Sequence, residues 1–139
     1  MNKIADYDTL DYDYRQYWKY REYENEAEKI VLSNFLKNDK GSWFIDIGGS
    51  YGRLTPAYYD KYTKSIIVDY SIKTLQKNYE YFNKTFPNTL LIAANAYHLP
   101  FKDSTFDGGM MVRVLHHIDK PTEYFREVYR ILKHNSIYI

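Results

Sequence analysis

Asp46-Ile47-Gly48-Gly49-Ser50-Tyr51-Gly52-Arg53 is the stretch that decides the fold. The apolar run Trp43–Ile47 leads into it as a first strand, and its glycines mark a tight turn into a helix expected from about Gly52 to about Tyr62. Glycine permits positive φ and lets backbone approach a ligand closely. A helix starting near Gly52 would aim its free N–H groups at that ligand, so an anionic group is expected there. Two common phosphate motifs fail on spacing. A dinucleotide fingerprint from Gly48 needs glycines where Ser50 and Arg53 stand, and no window supplies the Gly-Lys-Ser/Thr of a P-loop. What remains is an acid two residues before a compact G-x-S-x-G turn.

On both sides of this turn, short apolar runs alternate with amphipathic stretches. Ser65–Asp69 reads as a second strand, and Ser71 is placed to cap a helix running to about Asn83. Thr89–Ala93 is a third strand and Asp107–Val112 a fourth. A helix from about Pro121 to Leu132 follows, its apolar face holding Tyr124, Phe125, Val128, Ile131 and Leu132, and Ser136–Ile139 begins a fifth strand. Upstream, Tyr14 to Leu36 reads as one or two helices with Ala27, Ile30, Val31 and Phe35 on one face; Asn38–Gly41 breaks it. The expected organisation is a polar N-terminal arm and helical lid over residues 1–39, then a sheet domain over 40–139. Strands alternating with helices predict an α/β, Rossmann-like, doubly wound parallel sheet of about five strands, order 3-2-1-4-5, with helices on both faces. Ligands of such sheets sit at the carboxyl ends of the strands.

Composition excludes much else. With 45% hydrophobic and 27% charged residues, the chain is ordinary globular protein, and its net charge of +1 gives no strong nucleic-acid signal. No apolar run is long enough to span a bilayer, and the opening residues carry no secretion-type apolar core, so a cytoplasmic location is expected. The absence of cysteine excludes disulfides and thiolate chemistry. Six of the 17 tyrosines fall between Tyr7 and Tyr23, which reads either as compositional drift or as an aromatic lid.

The unusual residues stand where a ligand is expected. Asp69 ends the second strand, 21 residues beyond Gly48, where a carboxylate can accept from a ribose diol; the alternative is a helix-capping aspartate. Asn95, after the third strand, can both accept from and donate to an adenine edge. Together with Leu99-Pro100-Phe101, Phe106-Asp107, Leu115-His116-His117-Ile118 and Glu127–Lys133, these segments resemble the class I S-adenosylmethionine-dependent methyltransferases over residues 40–139. The resemblance implies S-adenosyl-L-methionine as cofactor and no metal. It implies that Asp46 fixes the glycine turn near the amino end of the methionine part, that Gly48, Ser50 and Gly52 line that part with Gly49 also cofactor-binding, that Asp69 holds the ribose, that Tyr70 packs on the adenine face, and that Asn95 and Ala96 read its edge. Two departures stand out: Ser50 replaces the usual middle glycine, and Asn95 replaces the usual Asp.

Methyl transfer from a sulfonium needs an aligned acceptor and, for a protonated acceptor, a base. The candidates follow the fourth strand: Arg113, His116 and His117. The histidines read as bases or as packing residues; Arg113 reads as a site for an anionic acceptor or as the partner of a nearby carboxylate. Tyr17, Trp18 and Arg21 are the candidate substrate or lid residues, although eight acidic against four basic side chains in residues 1–28 argue against a nucleic-acid arm. Members of the family continue past strand five into a helix and an antiparallel hairpin. The sequence stops within that strand, so the expectation is a fold truncated there and lacking the hairpin, with self-association through an exposed edge or poor solubility. The acceptor is unidentified. Two other functions stand beside an enzyme: a non-catalytic or partner-completed cofactor-binding subunit or gene remnant, and a dinucleotide oxidoreductase.

Overall fold

The computed structural model describes residues 13–139; the expected N-terminal arm falls mostly outside them. Among the described residues, five strands form one parallel sheet: β1 (Gly41–Ile47), β2 (Tyr62–Asp69), β3 (Thr89–Ala93), β4 (Phe106–Met110) and β5 (Leu132–Tyr138). Their order is β3-β2-β1-β4-β5, as expected. Three α-helices, α1 (Glu22–Phe35), α2 (Ile72–Thr85) and α3 (Pro121–Ile131), cover the two faces. Register brings Asp46 beside Ile67 and Met110, and Asp69 beside Ala93, so the strand ends that matter finish level with one another.

The strands are apolar on both faces because both are covered. On one face Ile45, Ile47, Ile66, Val68 and Phe106 pack against Tyr124, Val128 and Ile131 of α3. On the other, Phe44, Met110, Leu54 and Tyr58 meet Leu32 and Leu36 at the C-terminal end of α1. Ile67 packs there with Leu75 and Phe82 of α2. α2 starts at its expected cap: the Ser71 hydroxyl accepts the Thr74 N–H at 3.1 Å.

Several expectations are corrected. The helix expected from Gly52 to Tyr62 is a set of turns with one short 3₁₀ segment, Thr55–Ala57. Pro56 removes a donor, and Leu54, Thr55, Ala57 and Tyr58 are all buried, a density that a one-sided helix does not supply. β2 accordingly begins three residues early, at Tyr62, whose ring packs 4.7 Å from Phe44. The expected apolar face of the first helix points the wrong way: Ile30, Val31 and Phe35 are 61%, 52% and 61% exposed, while Leu32 and Leu36 are buried. Asn25 and Glu28, which bind Arg53, share the inward stripe with Leu32 and Leu36 and set the helix rotation. The chain before it is a separate 3₁₀ segment, Tyr14–Trp18, divided from α1 by Tyr20 at φ 69°. Strand four begins one residue early and stops at Met110, and strand five begins at Leu132, four residues early. Of the α3 face, Phe125 is 46% exposed.

Candidate functional site

One cavity of about 400 Å³ opens at the carboxyl ends of the strands. Its floor is the turn after β1. Asp46 is 3% exposed, and its carboxylate accepts a hydrogen bond from the Tyr58 hydroxyl at 3.1 Å, which is in turn bonded to Thr55 Oγ1. Burial pushes the Asp46 carboxyl up to about 7; the Tyr58 bond opposes the shift, Asp69 adds to it and Arg53 opposes it. Gly49 lies on this carboxylate so closely that a Cβ would stand 2.7 Å from Asp46 Cγ. Gly48 has φ +76°, and a side chain there would meet Val114 at 2.5 Å. Both line the cavity with Ser50. Gly52, expected among them, does not: it also has positive φ but is buried against the Phe82 ring, where it lets α2 close on the turn. The expected helix dipole at this turn is absent with its helix.

Asp69, at the end of β2, ties the second wall to the floor. Its Oδ2 accepts the Ser50 N–H at 3.0 Å and its Oδ1 the Ser71 N–H at 2.9 Å. It does not cap the helix, a role Ser71 fills, but holds the cap residue in place, and Asp69 also lines the cavity beside Tyr70. Asn95 and Ala96 form the third wall; Asn95 Oδ1 accepts the Tyr97 N–H at 2.9 Å and its carbonyl the His98 N–H, which fixes the loop.

The fourth wall follows β4. Arg113 lines the cavity in the left-handed region, φ 61°. Of its two readings, carboxylate pairing is the observed one: Glu28 and Glu24 of α1 hold it, and Nη1 reaches the Tyr17 hydroxyl at 3.3 Å. Burial alone would lower its affinity for a proton, but the Glu28 bond raises it, so the guanidinium stays charged. His116 and His117 also line the cavity, on a three-residue 3₁₀ turn. Their rings lie 3.8 Å apart, and burial together with the neighbouring His116 lowers the pKa of His117. Tyr17 and Trp18 line the cavity as well. Arg21 does not reach the cavity; its guanidinium lies 4.7 Å over the Tyr17 ring.

Residue Arg53 was missed from sequence although it sits in the deciding stretch. It lines the cavity, lies 3.8 Å over the Trp18 ring and pairs with Glu28, 25 residues away.

Ser50 is the non-glycine residue of the turn held at positive φ, 49°. That conformation costs an L-residue about 1 kcal/mol, so Ser50→Gly is expected to stabilise the fold by about 0.5–1 kcal/mol in urea unfolding. A loss of stability would mean that the hydroxyl carries a contact of its own.

Residues 45–139 match the family model described as a methyltransferase domain. A demethylmenaquinone methyltransferase of Chlamydia trachomatis is 32% identical over 91 residues, which are 64% of this chain and 39% of that protein. Among solved structures, the YcgJ protein of Bacillus subtilis matches with a TM-score of 0.74 at 22% identity, over 81% of this chain and 49% of that one. A phosphoethanolamine N-methyltransferase of Haemonchus contortus, solved with phosphoethanolamine and S-adenosylhomocysteine, matches with a TM-score of 0.71 at 18% identity, over 81% of this chain and 25% of that one. The chain thus spans half or less of the length of each of these three proteins. Among the described residues, no helix is long and apolar enough to cross a membrane.

Proposed function

Since the chain belongs to the methyltransferase domain family, of the class I S-adenosylmethionine-dependent kind, we propose that its cavity binds S-adenosyl-L-methionine and serves methyl transfer to an acceptor that is a small molecule or a group not yet identified. One observation carries this reading: a buried carboxylate, a glycine cradle, a second carboxylate and an amide stand in sequence around a single cavity, at the ends of adjoining strands. A ligand with an ammonium, a ribose and a purine finds a partner for each. Asp46 with Gly48, Gly49 and Ser50 would hold the methionine part, Asp69 the ribose hydroxyls, Tyr70 the adenine face, and Asn95 with Ala96 its edge. A side chain at Gly48 or Gly49 would displace Val114 or Asp46, two residues that line the cavity, so the glycines preserve the floor on which such a ligand would rest.

When bound, the sulfonium supplies a methyl group ready for in-line displacement, its sulfur leaving with the bonding pair. The chain's own task is to place the acceptor and remove its proton. His117 is the candidate base: it lines the cavity, and its lowered pKa leaves the imidazole neutral near pH 7. Tyr17 and Trp18 would exclude water over the reacting atoms. Arg113, already paired, would shape the acceptor wall and not capture an anion. The named relatives act on acceptors as different as demethylmenaquinone and phosphoethanolamine, so the family does not name the acceptor.

The test is calorimetric titration of residues 1–139 with S-adenosylhomocysteine, with NADH as control. Micromolar binding of the first alone is expected. A folded sample that binds neither would overturn the proposal, and tighter binding of NADH would turn the site toward hydride chemistry.

A further inference from the structure

Three segments meet on one carboxylate that does not itself line the cavity. Glu28 of α1 accepts Nη2 of Arg53 at 2.6 Å through Oε2, and it pairs through Oε1 with Nε and Nη2 of Arg113. Arg53 follows the turn after β1, and Arg113 follows β4. Both guanidiniums lie over the Trp18 ring, 3.8 and 4.9 Å from its centroid. The segment that carries Trp18, Tyr14–Trp18, has no buried residue. Polar and cation–π contacts help to hold it over the cavity; Arg15 adds two, a bond to Asn78 and a position 4.8 Å over the Tyr51 ring. Glu24 cannot substitute for Glu28: it lies 3.8 Å from Arg113 and is shared with Arg21 at 3.3 Å.

Building on the cofactor site proposed above, we propose that Glu28 is a positioning residue: it holds Arg53 and Arg113 over the Trp18 ring and so seats the aromatic turn on the glycine-turn end of the cavity. Two neighbouring cations repel unless one anion lies between them. The side chains of Glu28 and Arg53 are 25% and 12% exposed, so the pair is screened less than a surface bridge. Glu28 acts at the methionine end and not at the adenine end, since its partners flank the β1 turn and the β4 exit while Asp69 and Asn95 stand on other walls.

The full chain, Glu28→Gln, Trp18→Ala and the double variant are titrated with S-adenosylhomocysteine and with adenosine, which lacks the methionine part. Glu28→Gln is expected to weaken S-adenosylhomocysteine binding about tenfold and to leave adenosine within about twofold. In the Trp18→Ala background the same change is expected to cost nothing more, because the ring through which it acts is gone. Equal loss for both ligands, or equal loss in both backgrounds, would overturn the role of Glu28. Glutamine keeps an acceptor for one guanidinium, and urea unfolding of each variant separates loss of fold from loss of seating. A ligand-free measurement stands beside these: with Trp43→Phe leaving Trp18 as the reporter, Glu28→Gln is expected to raise acrylamide quenching, and unchanged quenching would overturn the seating. Failure of the folded wild-type chain to bind S-adenosylhomocysteine would overturn the cofactor reading and this inference with it, an outcome distinct from additive losses.

Discussion

Replacing Asp69 by alanine is expected to weaken S-adenosylhomocysteine binding by about 3 kcal/mol, roughly a hundredfold, and to lower stability by about 1 kcal/mol. The binding loss falls at the top of the range for one charged hydrogen bond, about 1.5–3 kcal/mol, because the carboxylate has two tasks. In the folded chain it accepts the Ser50 N–H and the Ser71 N–H, locking the β1 turn to the start of α2; with ligand present its carboxylate would also accept from the ribose. Removing it deletes the ribose partner and loosens the turn on which the methionine part would rest. Asn keeps an acceptor without the charge, so Asp69→Asn is expected to fall between, at about tenfold. Calorimetric titration with urea unfolding on the same samples checks both quantities. An affinity unchanged in Asp69→Ala would remove the ribose from this residue and reorient the whole ligand.

How Asp69 could be read from sequence, and Glu28 could not, shows where legibility ends. Asp69 closes a run of apolar residues on a strand, and a parallel sheet places every such terminal residue on one rim, whatever the side chains do. The same logic found Asp46, Asn95 and Arg113, and the β3 limits, Thr89–Ala93, coincide with those read from composition. Side-chain partnerships across the fold obey no such rule. Glu28 meets Arg113 across 85 residues, and nothing in the spacing of α1 separates its inward polar stripe from a solvated one. The sequence pattern therefore favoured Ile30, Val31 and Phe35 as the buried face, and the ion pairs reversed it. The helix expected after Gly52 failed for a related reason. Periodicity weighed its apolar residues as one stripe, whereas Tyr58 is drawn under Asp46 by a hydrogen bond and Gly52 under the ring of Phe82.

Asparagine in place of Asp46 is expected to stabilise the fold by about 2 kcal/mol near pH 8 while weakening S-adenosylhomocysteine binding at least about tenfold. The gain in stability comes from the difference between the carboxyl's pKa in the folded and in the unfolded chain. In the unfolded chain the carboxyl titrates near 3.8; in the folded chain burial holds it at about 7. Below about pH 4 both forms are protonated and the group has no effect. Between about pH 4 and 7 the unfolded chain has released a proton that the folded chain still binds, so stability falls as pH rises, by as much as about 4 kcal/mol in all; above pH 7 the loss is complete. Asparagine cannot ionise, and it keeps an oxygen for the Tyr58 hydroxyl, so this part of the pH dependence should vanish; an amide hydrogen left without an acceptor takes back part of the gain. Binding should run the other way. A ligand ammonium needs the ionised carboxylate, so wild-type affinity should rise through the window in which stability falls, up to tenfold per unit below about pH 7, and level off above it. Urea unfolding and ligand titration at about pH 5.5 and about pH 8, on both proteins, measure the two slopes. Parallel slopes in wild type and Asp46→Asn would take this carboxylate out of the linkage. Opposed slopes in wild type alone would mean that the same buried charge that weakens the empty fold is the one that recognises its ligand.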